Sequence, residues 1–263
     1  MFLSIDVGNT QTTIALFDEE GACTQQWRMA SAPSDTSDSL HARLYSYFQM
    51  YGLSLADVDA AALASVVPLL TDEWCRGLHD ALDVETLVVD ARRDCGIEIG
   101  LAIPEQAGAD RVANALAART TYGAPVIVVD FGTATNIDVV DADGVFRGGA
   151  IMPGIKLSAE ALFSRAAKLS SVPLVAPDRA LGDTTETAVQ SGLLIGAAAN
   201  AEGIVHRIQR ELGIEGCPVV GTGGYARRVA KATDLFCAID PDLTTRGIYQ
   251  IWLHRAEKRG ERE

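Results

Sequence analysis

The sequence predicts an α/β protein made of two copies of one βββαβαβ unit, and three observations carry that prediction. The run "FLSIDVGNTQTTIALFD" (2–18) and the run "VIVVDFGTATNIDVVD" (126–141) share a plan: an apolar strand ending on an acid, a glycine turn, then a second apolar run. The spacing repeats as well. Asp6 and Asp18 lie twelve positions apart, Asp130 and Asp141 eleven, and each second Asp opens a four-residue turn closed by Gly21 or Gly144. Finally, each opening is followed by helical apolar spacing and a further short strand.

In order, Phe2 to Asp6 and Thr12 to Phe17 read as strands, and Ala22 to Met29 as a third with poorer alternation. The segment "SAPSDTSDS" (31–39) supplies turn and capping residues. Leu40, Leu44, Tyr47, Phe48 and Tyr51 then recur at helical spacing, predicting a helix over 37–51 that Gly52 closes. Ala60 to Val66 reads as a strand, Pro68 to Leu82 as a helix and Thr86 to Val89 as a strand. In the second copy the three strands are followed by helices at roughly 156–168 and 187–212 and by a strand at Pro218 to Val220, leading into Gly221-Thr222-Gly223-Gly224. The expected domains are 1–118 and 119–263. "SGLLIGAAANAEGIV" (191–205), rich in small and apolar residues, could face a partner or a core.

With 263 residues, 48% hydrophobic and 22% charged, the chain has the composition of a soluble globular protein with a real core. A net charge of −13, with dispersed Lys and Arg, argues against a nucleic-acid or anionic-membrane surface. Cys23, Cys75, Cys95, Cys217 and Cys237 form no CxxC pair, so reduced, buried thiols in a cytoplasmic protein are expected. The N-terminus lacks a signal-peptide pattern and no apolar run is long enough for a membrane span. His41, His79, His206 and His254 are scattered without metal-ligand spacing, and the charged stretch Arg255 to Glu263 is expected to fray.

In both copies an acid ends the first strand and is followed by glycine and hydroxyl residues, a place where backbone N–H groups can face an anion. Neither the GxxxxGK[ST] loop nor a GxGxxG turn after a strand occurs. Between the copies lies Gly108-Ala109-Asp110-Arg111, opening a helix with Val112, Ala115, Leu116 and Ala118 on its apolar face. Asp110 there is either a plain helix-start residue or a proton acceptor, with Arg111 able to hold an anionic group bidentately. The glycine turn at 221–224 is likewise either a simple strand-to-helix turn or a place where backbone approaches a nucleoside.

These features resemble the architecture shared by actin, sugar kinases and Hsp70: duplicated actin-like (ribonuclease H-like) βββαβαβ domains with a cleft between them. Six motifs in order, "DVGNT" (6–10), "GADR" (108–111), "DFGTAT" (130–135), "GGAIMPG" (148–154), "GDTTETAVQSG" (182–192) and "GTGG" (221–224), closely resemble type III pantothenate kinase over essentially the whole chain. The resemblance implies a homodimer that phosphorylates pantothenate from ATP, the first step of coenzyme A synthesis. It implies Asp110 as general base and Gly108, Ala109, Asp110, Arg111 and Thr185 as substrate contacts. ATP contacts are implied at Asp6, Val7, Gly8, Asn9, Thr10, Gln11, Thr12, Thr13 and Thr133. Asp6 would act through Mg²⁺ or its waters, and Asp130 would ligate a monovalent cation, K⁺ or NH₄⁺.

Three positions depart from the family pattern: Thr13 stands where many members have Lys, Leu101 where an aromatic is common, and Asp183 where Lys usually follows Gly182. They motivate an alternative expectation of a weak or inactive homologue with an accessory or regulatory role. Retention of Asp6, Asp110, Arg111 and Asp130 favours the enzyme.

Overall fold

The computed structural model describes residues 1–165 and 171–260. Contacts divide the chain into two compact units, one of Met1–Glu98, Ala102–Ala117 and Leu243–Glu263, the other of Ile99–Leu101 and Ala118–Asp242.

The first unit carries strands β1 (Phe2–Val7), β2 (Gln11–Phe17), β3 (Cys23–Ala30), β4 (Ala60–Ser65) and β5 (Thr86–Val88), in the sheet order β3-β2-β1-β4-β5. β1 pairs antiparallel with β2 and parallel with β4. Its near-continuous apolar sequence follows from that central place, where both faces are covered. Helix α1 (Ser37–Met50) starts where expected, because Thr36 and Ser39 form a reciprocal capping box. Arg43 on α1 pairs with the buried Asp35 carboxylate at 2.8 Å, tying the capping segment to the helix. Helix α2 (Pro68–Leu82) opens with Pro68 in its first turn and ends on Asp83 in the left-handed region at φ 52°. Leu40, Leu44 and Phe48 of α1 and Leu70, Trp74 and Leu78 of α2 close one core with Leu3, Ile5, Ile14 and Leu63 from the sheet.

The second unit repeats this with β6 (Val126–Phe131), β7 (Ala134–Val140), β8 (Phe146–Pro153), β9 (Val219–Thr222) and β10 (Ala238–Ile239), in the order β8-β7-β6-β9-β10. Corresponding strands agree in detail. A register irregularity falls between Leu16 and Phe17 in one unit and between Val139 and Val140 in the other. The Asp-to-Gly turns also match: Gly21 N–H donates to Asp18 O and Gly144 N–H to Asp141 O, with φ near +80° at both glycines. Each turn Asp uses a side-chain oxygen to accept a further backbone N–H, from Ala22 or from Val145.

After β8 come α4 (Ile155–Arg165), α5 (Thr185–Gln190) and α6 (Gly196–Leu212), the last two joined by a π-helical turn at Ser191–Ile195. The end of the helix expected over 156–168 lies outside the described residues. The stretch from 191 to 205 turns Leu193, Leu194, Ala198, Ala201 and Val205 into its own unit's core. A short helix, α7 (Ala226–Val229), follows β9.

Two features depart from the sequence reading. The terminal segment is helical as far as described: α8 (Leu243–Gly260) belongs to the first unit. Phe2 packs on Trp252 with ring centroids 4.7 Å apart, and Phe17 stacks on Tyr249 at 4.9 Å. The buried Ser4 hydroxyl donates to Thr245 O at 2.8 Å. Gly247 makes the close crossing with α3 (Ala109–Tyr122) possible, since a Cβ there would lie 2.0 Å from Ala113 O. Asp94 holds the charged end of α8 through His254, at 3.0 Å, and Lys258. Secondly, the thiols are not uniformly buried: Cys95 is, Cys23, Cys75 and Cys217 are half-buried, and Cys237, just ahead of the two-residue edge strand β10, is exposed.

Candidate active site

The turn after β1 is closed by Gly8, whose N–H donates to Gln11 O at 3.1 Å. A Cβ at Gly8 would stand 2.9 Å from the same oxygen, so a side chain would push the turn open. Ser31 staples the turn from beside it: its N–H donates to Thr10 O at 3.1 Å and its hydroxyl meets that of the buried Thr12 at 2.8 Å. Asn9, Thr10 and Gln11 remain exposed. Asp6 is half-buried and directly opposite Thr13 across the antiparallel pair, so these two side chains share a face.

Asp110 sits in the first turn of α3, within the same unit. Gly108 makes its position possible, because a Cβ there would fall 2.5 Å from Asp110 Oδ1 and 3.6 Å from Val66 Cγ1. Val66 in turn donates its N–H to Val7 O at 3.1 Å. Val7, Val66, Gly108 and Asp110 thus form a chain of neighbours along the carboxyl ends of β1 and β4, the edge where α/β sheets take ligands. Burial pushes the Asp110 carboxyl above the ordinary carboxylate range, outweighing the Arg111 N–H, which donates to Oδ1 at 2.8 Å, and the Arg111 charge. A carboxylate made more basic in this way is a better proton acceptor.

In the second unit Asp130 ends β6 opposite Asn136, as Asp6 faces Thr13. Gly223 lies against it at φ +89°: a Cβ would be 2.3 Å from Asp130 Oδ1 and under 3 Å from Phe131 backbone. Glycine at 223 therefore lets the backbone pass directly against the carboxylate, where no side chain would fit. The adjoining turn is clasped by Gly154, whose N–H donates to Thr133 O at 3.1 Å and whose missing Cβ would overlap that oxygen at 2.2 Å. Thr133 is exposed at the tip. A cavity of about 80 Å³ adjoins this turn, lined by Thr135, Met152, Ser158, Leu193 and Asn200.

Thr185 is exposed at the start of α5, whose cap is a reciprocal Thr184–Thr187 box. Gly182 packs against the backbone of Ala188, leaving Asp183 exposed. Leu101, in the segment that bridges to β8 through Ile99 and Phe146, packs over Gly148. Sequence reasoning missed Val66 and the contact of Gly223 with Asp130; neither the apolar run nor the glycine turn says what it touches.

Among the described residues no group of three or more His, Cys, Asp or Glu side chains gathers to hold a metal. Asp6 and Asp130 each offer a carboxylate at a strand end, a donor set that suits a hard cation completing its shell with phosphate oxygens and water.

The family model for type III pantothenate kinase matches residues 2–207. The chain belongs to the type III pantothenate kinase family. The relative from Roseiflexus sp. (strain RS-1) is 42% identical over 252 residues, covering 96% of this chain and 98% of its own. That from Thermomicrobium roseum is 42% identical over 258 residues, covering 97% and 99%. Both are type III pantothenate kinases. The fold is also that of the activator of 2-hydroxyisocaproyl-CoA dehydratase from Clostridium difficile, which binds ADPNP: TM-score 0.55 at 11% identity, over 100% of this chain and 97% of that one. The duplicated actin-like fold is thus shared with that distantly related protein. Among the described residues no helix is long and apolar enough to cross a membrane.

Proposed function

We propose that this chain transfers the γ-phosphoryl group of ATP to the primary hydroxyl of pantothenate, giving 4'-phosphopantothenate and ADP in the first step of coenzyme A synthesis. The observation that carries the reading is the half-buried Asp110, raised in pKa and seated over Gly108, in a chain of this kinase family.

Asp110 accepts the hydroxyl proton as the oxygen forms its bond to the γ-phosphorus, and the β,γ-bridging P–O bond breaks in line with that attack. Arg111 pairs with the substrate carboxylate, while Gly108 and Ala109 let backbone approach it. The turn from Asp6 to Thr13 and Thr133 hold the ATP phosphates through backbone N–H groups and hydroxyls. Bound Mg²⁺ at Asp6 supplies charge neutralisation on the phosphates. Asp130 would hold a monovalent cation, K⁺ or NH₄⁺, which would supply positive charge beside the phosphates. Thr185 contacts pantothenate, and the active form is a cytoplasmic homodimer. Exposed Ile151 and Leu157 on β8 and α4, and Leu181 ahead of α5, support an apolar contact between copies.

The test is an ATP-dependent phosphorylation assay with pantothenate in K⁺ and in Na⁺ buffers, beside Asp110→Asn, with mass measured by light scattering. K⁺-dependent product that the variant fails to make supports the reading. Folded, dimeric protein without product in either salt overturns it.

A further inference from the structure

α7 is short and carries an arrangement that phosphate binding and proton transfer leave unused. The guanidinium of Arg228 lies over the Tyr225 ring, 5.2 Å from its centroid. Tyr225 is half-buried against the core of the second unit, and its N–H donates to Phe131 O at 3.3 Å, one residue beyond Asp130. The ring is thereby fixed to the carboxyl end of β6. Arg228 is exposed. The ring thus backs a guanidinium that remains accessible to solvent.

Beside this pair the chain is opened by Gly224, which is exposed and whose absent Cβ would meet nothing within 4 Å. Gly223, one residue earlier, abuts Asp130 and Phe131. The glycine turn, the Thr133 turn and the Tyr225–Arg228 pair therefore share the carboxyl-end edge of β6 and β9. A guanidinium is planar, permanently charged and weakly hydrated, and it stacks on the π-face of a base as well as on an aromatic ring. In a chain of net charge −13, Arg227, Arg228 and Lys231 gather positive charge on this one short segment, where a polyanionic nucleotide gains most from it.

We propose that Arg228, backed by Tyr225, is the shelf on which the base of the phosphoryl-donor nucleotide stacks, and that it sets donor affinity by π-area and not by hydrogen-bond readout of the base. This rests on the ATP-binding reading above and extends it to a side chain. Every base has a π-face, so ATP and GTP bind similarly, while the smaller rings of CTP and UTP bind more weakly.

The test is direct nucleotide binding by isothermal titration without pantothenate, comparing ATP with tripolyphosphate, which has the charge and no base. Arg228→Ala weakens ATP about 5- to 100-fold, the worth of one base stack, and leaves tripolyphosphate within a few-fold. Arg228→Lys, which keeps the charge and loses the plane, recovers little of the ATP affinity. Equal losses for ATP and tripolyphosphate, or full recovery in Arg228→Lys, would assign Arg228 to phosphate charge and overturn the stacking role, as would an unchanged ATP affinity in Arg228→Ala. Arg228 is exposed, so its variants fold; a thermal melt on each verifies this. Because pantothenate is absent, a chain that bound ATP through Arg228 but phosphorylated nothing would fail the proposed function and still support this inference.

Discussion

β4 and β9 hold the same place in their two sheets, each parallel to the strand that ends on an acid, yet they leave the sheet differently. β4 runs into Ser65-Val66-Val67-Pro68, and Val66 packs on the Gly108 position that seats Asp110. β9 runs into Gly223-Gly224, where one glycine fits against Asp130 and the other faces open space. The equivalent turn is thus a wall in the first unit and, at Gly224, an aperture in the second. The strands match, and the two halves differ where the chain leaves them.

Several substitutions sharpen or break this contrast. The largest effect belongs to the walled side: Asp110→Asn lowers kcat by about 10²–10⁴-fold in a coupled ADP assay while leaving ATP binding intact. The raised pKa fixes the sign of two pH effects. Above the carboxylate's unfolded pKa, the folded protein holds the proton more tightly than the unfolded chain, so the group's contribution falls as pH rises toward the folded pKa. Melting curves should accordingly show wild type losing stability relative to Asp110→Asn over that interval, and kcat/KM should fall on acidification at a pH above the ordinary carboxylate range.

Next in size is Phe2→Ala, which strips the contact with Trp252 and costs about 3–5 kcal/mol by urea denaturation. Val126→Ala, at the matching place in β6, costs less, about 2 kcal/mol for the lost methyl groups. Equal losses would mean that α8 contributes nothing special to the first unit.

At the aperture, Gly223→Ala costs at least ~1–3 kcal/mol from its positive φ alone, and its Cβ would crowd Asp130. Gly224→Ala, with free space, stays within about 0.5 kcal/mol in the same thermal melts. At the turn after β1, Thr13→Lys, adding a charge beside Asp6, lowers the KM for ATP by no more than about threefold. An unchanged KM would show that Thr13 does not govern the phosphate turn.

The strands and both strand-end acids were legible because apolar runs and Asp-Gly turns are local signals. The helix caps were legible for the same reason, as with Thr36 and Ser39. The GADR and GTGG segments could be placed in order, but their geometry depends on tertiary neighbours: nothing local says that Gly223 must clear an Asp130 oxygen or that Gly108 must clear Asp110. α8 was invisible as a partner of the first unit because its burial is set by rings at positions 2 and 17, and Leu101 stood out only as a departure from the family pattern, without sign that it packs over Gly148. The departure at Thr13 is plain in the sequence, and its setting opposite Asp6 gives it a physical meaning.

The return of α8 to the first sheet also sets an order on synthesis. The second unit, apart from three residues, is one continuous segment and has its full complement of chain once Asp242 has emerged. The first unit begins at Met1 but lacks the cover for Phe2 and Phe17 until Tyr249 and Trp252 have left the ribosome. The half that is made first is therefore completed after the other, and its aromatic edge stays uncovered until α8 emerges.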